Sequence, residues 1–339
     1  MFFKRLGIDL GTANSLVYLA GQGVVLNEPT VVAVTLDDNR VVAVGNEAKE
    51  MLGRTPGNIT ASRPLREGVI ADYEITEAML RYFIDRACGR NRIFKPEVMV
   101  CVPGGSTQVE RRAVVDATLE AGARAAYLIE EPLAAAIGAK IPIAAASGNM
   151  IVDIGGGSTE AAIISLGGVV VHHSVRVAGN KIDEAIINYI RKTYNLVIGE
   201  RTAEEIKITI GNAFFERANH RGSGKTMEVR GRDNLSGLPR MITVTEEEIA
   251  GAIKPTLVAM LSAIKGVLED VPPELASDII DKGIVLSGGT SLLTDLSKLV
   301  SHITGVVAHV AEEPLLCVVR GTGVAIENIE LYKRSISRR

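Results

Sequence analysis

Two short stretches, 144 positions apart, repeat one plan. "GIDLGTANSLVYL" (7–19) and "IVDIGGGSTEAAIISL" (151–166) each run apolar residues into an Asp, one more apolar residue and a Gly. A turn of small residues and a second apolar strand follow. Asp9 and Asp153 hold the same place in the two copies. A repeat of this length points to duplicated domains, because solenoid units recur every ~20–50 residues. One Asp-Gly hairpin is common and proves little. Two copies, each opening a half rich in strand-helix-strand grammar, restrict the chain to an α/β protein of two similar lobes. At ~100–200 residues per domain, 339 residues that are 47% hydrophobic suffice for two cores.

Local patterns fill in each half. "LGIDLG", "SLVYLA" and "GVVLNEPTVVAVT" read as short strands broken by Gly, Asn and Pro. Residues 76–88 have helical spacing, with Met79, Leu80, Phe83, Ile84 and Ala87 on one face. "EVMVCVP" (97–103) is an apolar run suited to a strand buried on both faces. A helix ended by Gly122, the strand "AAYLIEE" and a helix opening at Pro132 complete the first half. In the second, "KIDEAIINYIRKTY" predicts a helix, and Thr202 with Glu205 predicts a capping box opening the next one. Residues 217–240 are polar and Gly-rich, a hairpin or loop. An amphipathic helix over about 246–269, the "IVLSGGTSLL" strand-turn-helix, a short helix and strand, and "CVVRGTGVAIENI" end the chain.

The two turns are suited to anions. Small-residue turns expose backbone N–H groups, and such nests bind phosphate. The preceding Asp would then sit among phosphates, where a carboxylate alone is repelled. A magnesium ion, which takes oxygen ligands and keeps waters, resolves the conflict. The plainer alternative is two tight hairpins with Asp in a turn role. A third element fits the same site: "GIVLSGGTSLL" (283–293) ends a buried strand in Ser287, Gly288, Gly289, Thr290 and Ser291, where a flat ligand or a phosphate can lie on the backbone.

Other features exclude alternatives. A formal charge of −3 does not suit a general nucleic-acid binder. Cys88, Cys101 and Cys317 are odd in number, far apart and without zinc-ligand spacing, so free thiols in a reducing compartment are expected. No continuous apolar run approaches ~18 residues, and no signal-peptide core precedes the first strand. The reading is a cytosolic protein. "GSGKT" (222–226) resembles the end of a P-loop, but the required first Gly is Asn219, and an exposed basic loop is expected. His172 and His173 are adjacent, so on a strand they face opposite sides.

Two Asp-Gly hairpins and a late Gly-Gly turn, in this order, resemble the actin and sugar-kinase superfamily. The segments "NEPTVVAV", "RPLREGVIADY", "LIEEPLAAAIGA", "VDIGGGSTEAAIISLGG", "INYIRKTYNLVIGERTAEEIK" and "PPELASDIIDKGIVLSGGTSLL" resemble the MreB family of bacterial actins and its close paralogues such as Mbl, over about residues 5–330. The resemblance implies an actin-like ATPase fold: two lobes, each with a duplicated βββαβα core and a small inserted subdomain. Lobe I is expected over 1–144 plus 316–339, with its insert at about 33–70. Lobe II is expected over 145–315, with its insert at about 181–240. ATP and Mg2+ would lie in the cleft. The implied protein is an ATPase that polymerises into filaments, with paired antiparallel protofilaments. It would lie in the cytoplasm, peripheral on the inner face of the cell membrane. There it would act with the cell-wall elongation machinery and its scaffold proteins in rod cell shape.

By the same resemblance, Thr12, Ala13 and Asn14 match the first phosphate loop, and Gly155, Gly156, Gly157 and Ser158 the second. Asp9 and Asp153 match the carboxylates that hold magnesium through water. Glu204, Glu205, Ile206 and Lys207 match the nucleoside-contacting segment. Glu204 and Lys207, three apart, share a helical face; read locally they could be a surface ion pair. Gly288, Gly289, Thr290 and Ser291 match the adenosine motif. Glu131, which locally is an acid favoured at a helix start, matches the residue that positions the attacking water, with Ser158 beside it. Glu131 is preferred to Glu130 because neighbours on an extended segment point opposite ways. Ser158 replaces a usual Thr, Thr290 a usual Gly and Asn180 a usual Asp.

"GRNRIFKPE" (89–97) sets Ile93 and Phe94 among Arg90, Arg92 and Lys95, a pattern suited to an anionic membrane interface or to a loop folded over a core. The resemblance places a membrane-inserting loop here, with Phe2 and Phe3 beside it. Competing functions are a small-molecule kinase of the same superfamily, a plasmid-partitioning actin, and a chaperone related to the large heat-shock proteins. A kinase needs a separate base for its acceptor, and none is found. A chaperone needs a peptide-binding domain after the ATPase, and none is read.

Overall fold

The computed structural model describes residues 3–38, 40–90, 94–215, 224–333 and 335–338. β1 (Arg5–Leu10), β2 (Asn14–Leu19) and β3 (Gly23–Pro29) form an antiparallel meander with Asp9 opposite Leu16. Leu6, Ile8 and Val17 supply its buried face. After Pro29 the chain leaves for a small sheet of β4 (Val32–Thr35), β5 (Val41–Val44) and, after α1 (Asn46–Met51), β6 (Ile59–Ser62). This sheet has its own core around Val31, Ala33, Ala43 and Ala48. A tight hairpin, β7 (Leu65–Arg66) and β8 (Val69–Ile70), leads back to α2 (Tyr73–Cys88). Asp72 caps that helix, accepting from the Ile75 N–H at 3.1 Å. β9 (Glu97–Val102), α3 (Gln108–Glu120) and β10 (Ala125–Glu130) add two strands parallel to β1, and α4 (Glu131–Gly138) starts directly off β10.

The second half repeats this order. β11 (Asn149–Ile154), β12 (Thr159–Ser165) and β13 (Gly168–Val175) form the meander, with Asp153 opposite Glu160. α5 (Gly179–Tyr194), β14 (Leu196–Val197), α6 (Glu200–Ile210), β15 (Thr226–Asp233) and β16 (Pro239–Thr245) form an excursion with a second small sheet. α7 (Glu246–Glu269), α8 (Pro273–Lys282), β17 (Ile284–Ser287), α9 (Leu296–Thr304) and β18 (Ala308–Val310) return to the main sheet. α10 (Cys317–Glu327) and β19 (Ser337–Arg338) then pack on the first half.

Among the described residues the two main sheets run β19-β10-β9-β1-β2-β3 and β13-β12-β11-β17-β18. Apart from β19 they are the same sheet built twice. The fold is α/β, with two like lobes as the internal repeat implied. α4 and α10 lie between the sheets, in one core with Met99 and Ile129 of the first sheet and Ile151 and Ile164 of the second. Their backbones touch: a Cβ on Gly321 would fall 1.7 Å from the Ala134 carbonyl oxygen. The first lobe packs Phe83 and Ile84 of α2 against its sheet. The second packs Ile182, Ile186 and Ile190 of α5 with Ile253, Leu257 and Ile264 of α7. Each such side chain removed from water contributes roughly 1.5–3 kcal/mol.

Some local readings change. α6 begins at Glu200 after Gly199, with no side-chain cap, so Thr202 lies inside the helix and the predicted box with Glu205 does not form. The capping boxes are at Thr107 with Glu110 and at Thr245 with Glu248. α8, which starts at Pro273, was not separated by periodicity. Thr226 opens a strand, not the helix that a P-loop needs; 216–223 lie outside the described residues. No disulfide joins the three cysteines among the described residues. Among the described helices α7 alone is long and apolar enough to cross a membrane by length and composition. It carries Lys254 and Lys265, and its apolar stripe packs into the core.

Candidate functional site

The turns of the two repeated hairpins face each other across a cavity of about 400 Å³. Asp9, Thr12, Ala13 and Asn14 line it from one lobe and Asp153, Gly155, Gly156, Gly157 and Ser158 from the other. The turns interlock. A Cβ on Gly156 would stand 2.7 Å from the Ala13 Cβ, and one on Gly157 would stand 2.4 Å from Thr12 Oγ1. Only glycine fits there. The tip of the β7–β8 hairpin joins them, the Gly68 N–H donating to Thr12 Oγ1 at 2.9 Å. The N–H groups of Thr12, Ala13, Gly156, Gly157 and Ser158 make no hydrogen bond among the described residues. Backbone donors in folded chains are almost always paired, so this cluster is an acceptor-binding surface.

Four acids stand behind the turns. Asp9 has the Cys101 thiol donating to Oδ1 at 3.3 Å, and burial and the Asp153 charge push its carboxyl up to about 7. Ser287 Oγ donates to Asp153 Oδ1 at 2.6 Å, yet burial still raises Asp153 to about 6. Glu160 is buried, accepting from Ser174 Oγ and from the Gly104 N–H, and desolvation pushes it up to about 7. Glu131, the first residue of α4, lies well above the usual range, through burial first and then the charges of Glu160, Asp153 and Asp9. Four desolvated acids without a cation are mutually unfavourable. Asp9 and Asp153 line one cavity, and such all-oxygen donors fit a hard cation that keeps some of its waters, as magnesium does.

Glu131 lines the cavity, whereas Glu130 turns away to pair with Arg111 at 2.8 Å. On α6, Glu204, Lys207 and Ile208 line it. Glu205 and Ile206 do not: successive helical residues turn by about 100°, so Glu205 is exposed and Ile206 is fully buried in the core. Ile208 is the neighbour that the sequence reading missed. Glu204 and Lys207 are not paired with each other. Lys49 reaches Glu204 at 3.1 Å, and Lys207 holds Asp183 at 2.9 Å and the Gly179 carbonyl at 3.3 Å. Asp183 Oδ1 is buried without a hydrogen-bond partner.

Gly288, Gly289 and Thr290 line the cavity where β17 ends in a short 3₁₀ turn, Gly289–Leu292. Thr290 Oγ1 donates to the Gly155 carbonyl at 2.7 Å, so the third residue of this motif ties the 3₁₀ turn to the second hairpin turn. Ser291 turns inward, buried, and donates to the Gly288 carbonyl. Leu292, Leu293, Pro314, Leu315 and Val318 add an apolar floor that no sequence motif announced.

Phe3 and Phe94 lie elsewhere, on one edge of the first lobe. Phe94 is 57% exposed. The Arg124 guanidinium stands 4.3 Å over the Phe3 ring, and Lys4 Nζ reaches the carbonyls of Ala87 and Cys88 at the end of α2. Phe2 and Ile93 lie outside the described residues.

Comparison with known proteins gives the context. The family described as MreB/Mbl protein matches residues 3–334. The cell shape-determining protein MreB of Escherichia coli (strain K12) is 52% identical over 337 residues, 98% of this chain and 96% of that protein. The cell shape-determining protein Mbl of Bacillus subtilis (strain 168) is 48% identical over 338 residues, 99% and 100% of the two chains. The crystal structure of MreB5 of Spiroplasma citri bound to AMPPNP superposes with a TM-score of 0.90 at 37% identity, covering 98% of this chain and 99% of that one. The MamK double helical filament shares the fold, with a TM-score of 0.80 at 22% identity over 95% and 99% of the chains.

Proposed function

The chain belongs to the MreB/Mbl protein family, and we propose that it is a bacterial actin: it binds and hydrolyses ATP, assembles into filaments, and serves cell shape. One observation carries the nucleotide reading. Five unpaired backbone N–H groups from two interlocked turns surround a cavity whose far wall is an apolar floor. That pairing of an anion nest with an apolar slot suits a nucleoside phosphate. A neighbour 37% identical is a structure bound to AMPPNP, and a further MreB5 structure is bound to ADP.

In this reading the phosphates lie on the turns from Thr12 to Asn14 and from Gly155 to Ser158. The base rests on Gly288 and Gly289 between Leu315 and Ile208. Asp183, whose buried Oδ1 has no hydrogen-bond donor, lines the adjoining cavity. Asp9 and Asp153 hold a hydrated magnesium ion, whose charge offsets the acids and the phosphates. Glu131 orients a water against the terminal phosphorus and accepts its proton as the bond to the ADP oxygen breaks. Ser158 lines the same cavity from the second turn.

The names of the relatives, cell shape-determining proteins, support a cytoskeletal role. Filament assembly is head to tail, a heterologous contact that does not close, with paired antiparallel protofilaments. The filament lies on the inner face of the membrane beside the elongation machinery. The exposed Phe94, followed directly by Lys95, supports that contact. The deciding experiment is pelleting and electron microscopy of the pure protein with magnesium and ATP, with and without anionic vesicles. ATP-dependent filaments are expected. No filaments, together with ADP production that needs an added acceptor, would replace this reading with a kinase.

A further inference from the structure

The β7–β8 hairpin brings to the cleft a cation with no role so far. Its tip residues, Glu67 and Gly68, both have positive φ, 51° and 82°. The Gly68 N–H donates to Thr12 Oγ1, and a Cβ on Gly68 would lie 3.4 Å from Ser158 Oγ. The tip thus touches both turns at once. One residue earlier, Arg66 lines a second cavity, of about 520 Å³, which opens on Thr12, Ala13, Gly156 and Gly157.

Four cations line this mouth: Lys49, Arg63, Arg66 and Lys181. Three have carboxylate partners: Lys49 with Glu204 at 3.1 Å, Arg63 with Glu200 at 3.5 Å, and Lys181 with Glu184 at 2.9 Å. Arg66 is exposed and makes no ion pair or side-chain hydrogen bond among the described residues. An unpaired guanidinium beside a nest of unpaired N–H groups is a donor set for a phosphate, and its planar fork suits two phosphate oxygens at once.

We propose that Arg66 contacts the terminal phosphate of a bound nucleoside triphosphate and gives this site its preference for triphosphate over diphosphate. The assignment rests on the nucleotide reading above. It differs from that reading in what it predicts: loss of Arg66 removes discrimination, whereas loss of Asp9 removes binding altogether. Because Arg66 is exposed at the end of a two-residue strand, its replacement leaves the fold intact.

The test is titration of AMPPNP and of ADP, with magnesium, into the full chain and its Arg66→Ala, Arg66→Lys and Asp9→Ala variants. Arg66→Ala should weaken AMPPNP about tenfold and ADP less than about twofold, the scale of one charge-assisted contact. Arg66→Lys, which keeps the charge, should recover most of the AMPPNP affinity. Equal losses for both nucleotides in Arg66→Ala, or unchanged AMPPNP binding, would overturn the assignment. Failure of the unaltered chain to bind either nucleotide would overturn the nucleotide reading and this assignment with it.

Discussion

Ser287, at the end of β17, donates a 2.6 Å hydrogen bond to Asp153 on the neighbouring strand β11. Both residues are buried, and this bond partly opposes the desolvation that raises the carboxyl. Ser287→Ala leaves a buried acid without its donor. The expected cost is about 1.5–3 kcal/mol, the range for hydrogen bonds to charged groups, measured by urea unfolding. Magnesium-dependent nucleotide binding should weaken as well, since Asp153 would protonate more readily. Unchanged stability and unchanged magnesium dependence would show that the bond has no part in setting the acid.

The acid cluster has a pH signature. Asp9 and Glu160 are pushed up to about 7 and Asp153 to about 6, from 3.8, 4.5 and 3.8. A carboxyl raised in the fold contributes stability that is complete below its unfolded value and is lost as pH rises through its folded value. Metal-free, nucleotide-free protein should therefore lose stability between about pH 4 and pH 7. Asp233 acts the other way. The Ser236 N–H and Arg240 hold it well below the usual range, so its contribution is lost in acid. Millimolar magnesium should raise the urea midpoint at pH 7.5 and do little at pH 5. A metal effect of equal size at both values would contradict a cation held by these acids.

Gly157 tests the interlock of the two turns. A methyl there meets Thr12 Oγ1 at 2.4 Å and the Gly68 nitrogen at 2.8 Å, both fixed by their mutual hydrogen bond. Gly157→Ala should cost about 1–3 kcal/mol, as overpacking does, and should weaken nucleotide binding by separating the turns. Gly155→Ala is the control, because its Cβ would meet nothing closer than the Ser158 oxygen at 3.7 Å. Equal thermal stability in the two variants would count against the interlock.

The contrast between Gly155 and Gly157 marks what the sequence can reveal. The echo of "IDLGT" in "VDIGG" exposed both turns, the duplicated sheets and the acids at their mouths, because that information is local and periodic. The seven-residue register from Asp153 to Glu160 was equally present in the sequence, yet nothing local says that Glu160 is buried beside Glu131. The donors that hold the acids, Cys101 and Ser287, arrive from other strands. So does Gly68, whose hairpin lies 56 residues from Thr12. Glu205 and Ile206 failed for a simpler reason. The helix start was taken three residues late, and a motif copied as a continuous run ignores the turn of the helix.

The exposed edge of the first lobe gives a membrane prediction. Phe94 is 57% exposed and precedes Lys95 directly. Burying one aromatic side chain in the interface contributes roughly 1.5–3 kcal/mol, and each nearby cation adds about 1 kcal/mol on anionic lipid. An Ile93→Ser, Phe94→Ser double variant should lose most co-sedimentation with vesicles rich in anionic lipid while keeping ATP binding. Full vesicle binding would sink the assignment of this edge.

Glu131 and Glu130 provide the sharpest separation of roles. They are adjacent, yet Glu131 is buried on the cavity wall and Glu130 is tied to Arg111 at 2.8 Å. Glu131→Gln keeps the shape and removes the proton acceptor. It also removes one of four mutually repelling acids, so the metal-free protein should be no less stable. Nucleotide affinity should persist while phosphate release slows by about 10²–10⁴-fold, the usual worth of a positioned acid or base. Glu130→Ala should break the Arg111 pair and leave phosphate release within a few-fold of the unaltered chain. Measuring both variants by AMPPNP titration and by phosphate release isolates the chemical step. Unchanged release in Glu131→Gln, or an equal loss in Glu130→Ala, would remove Glu131 from the catalytic role.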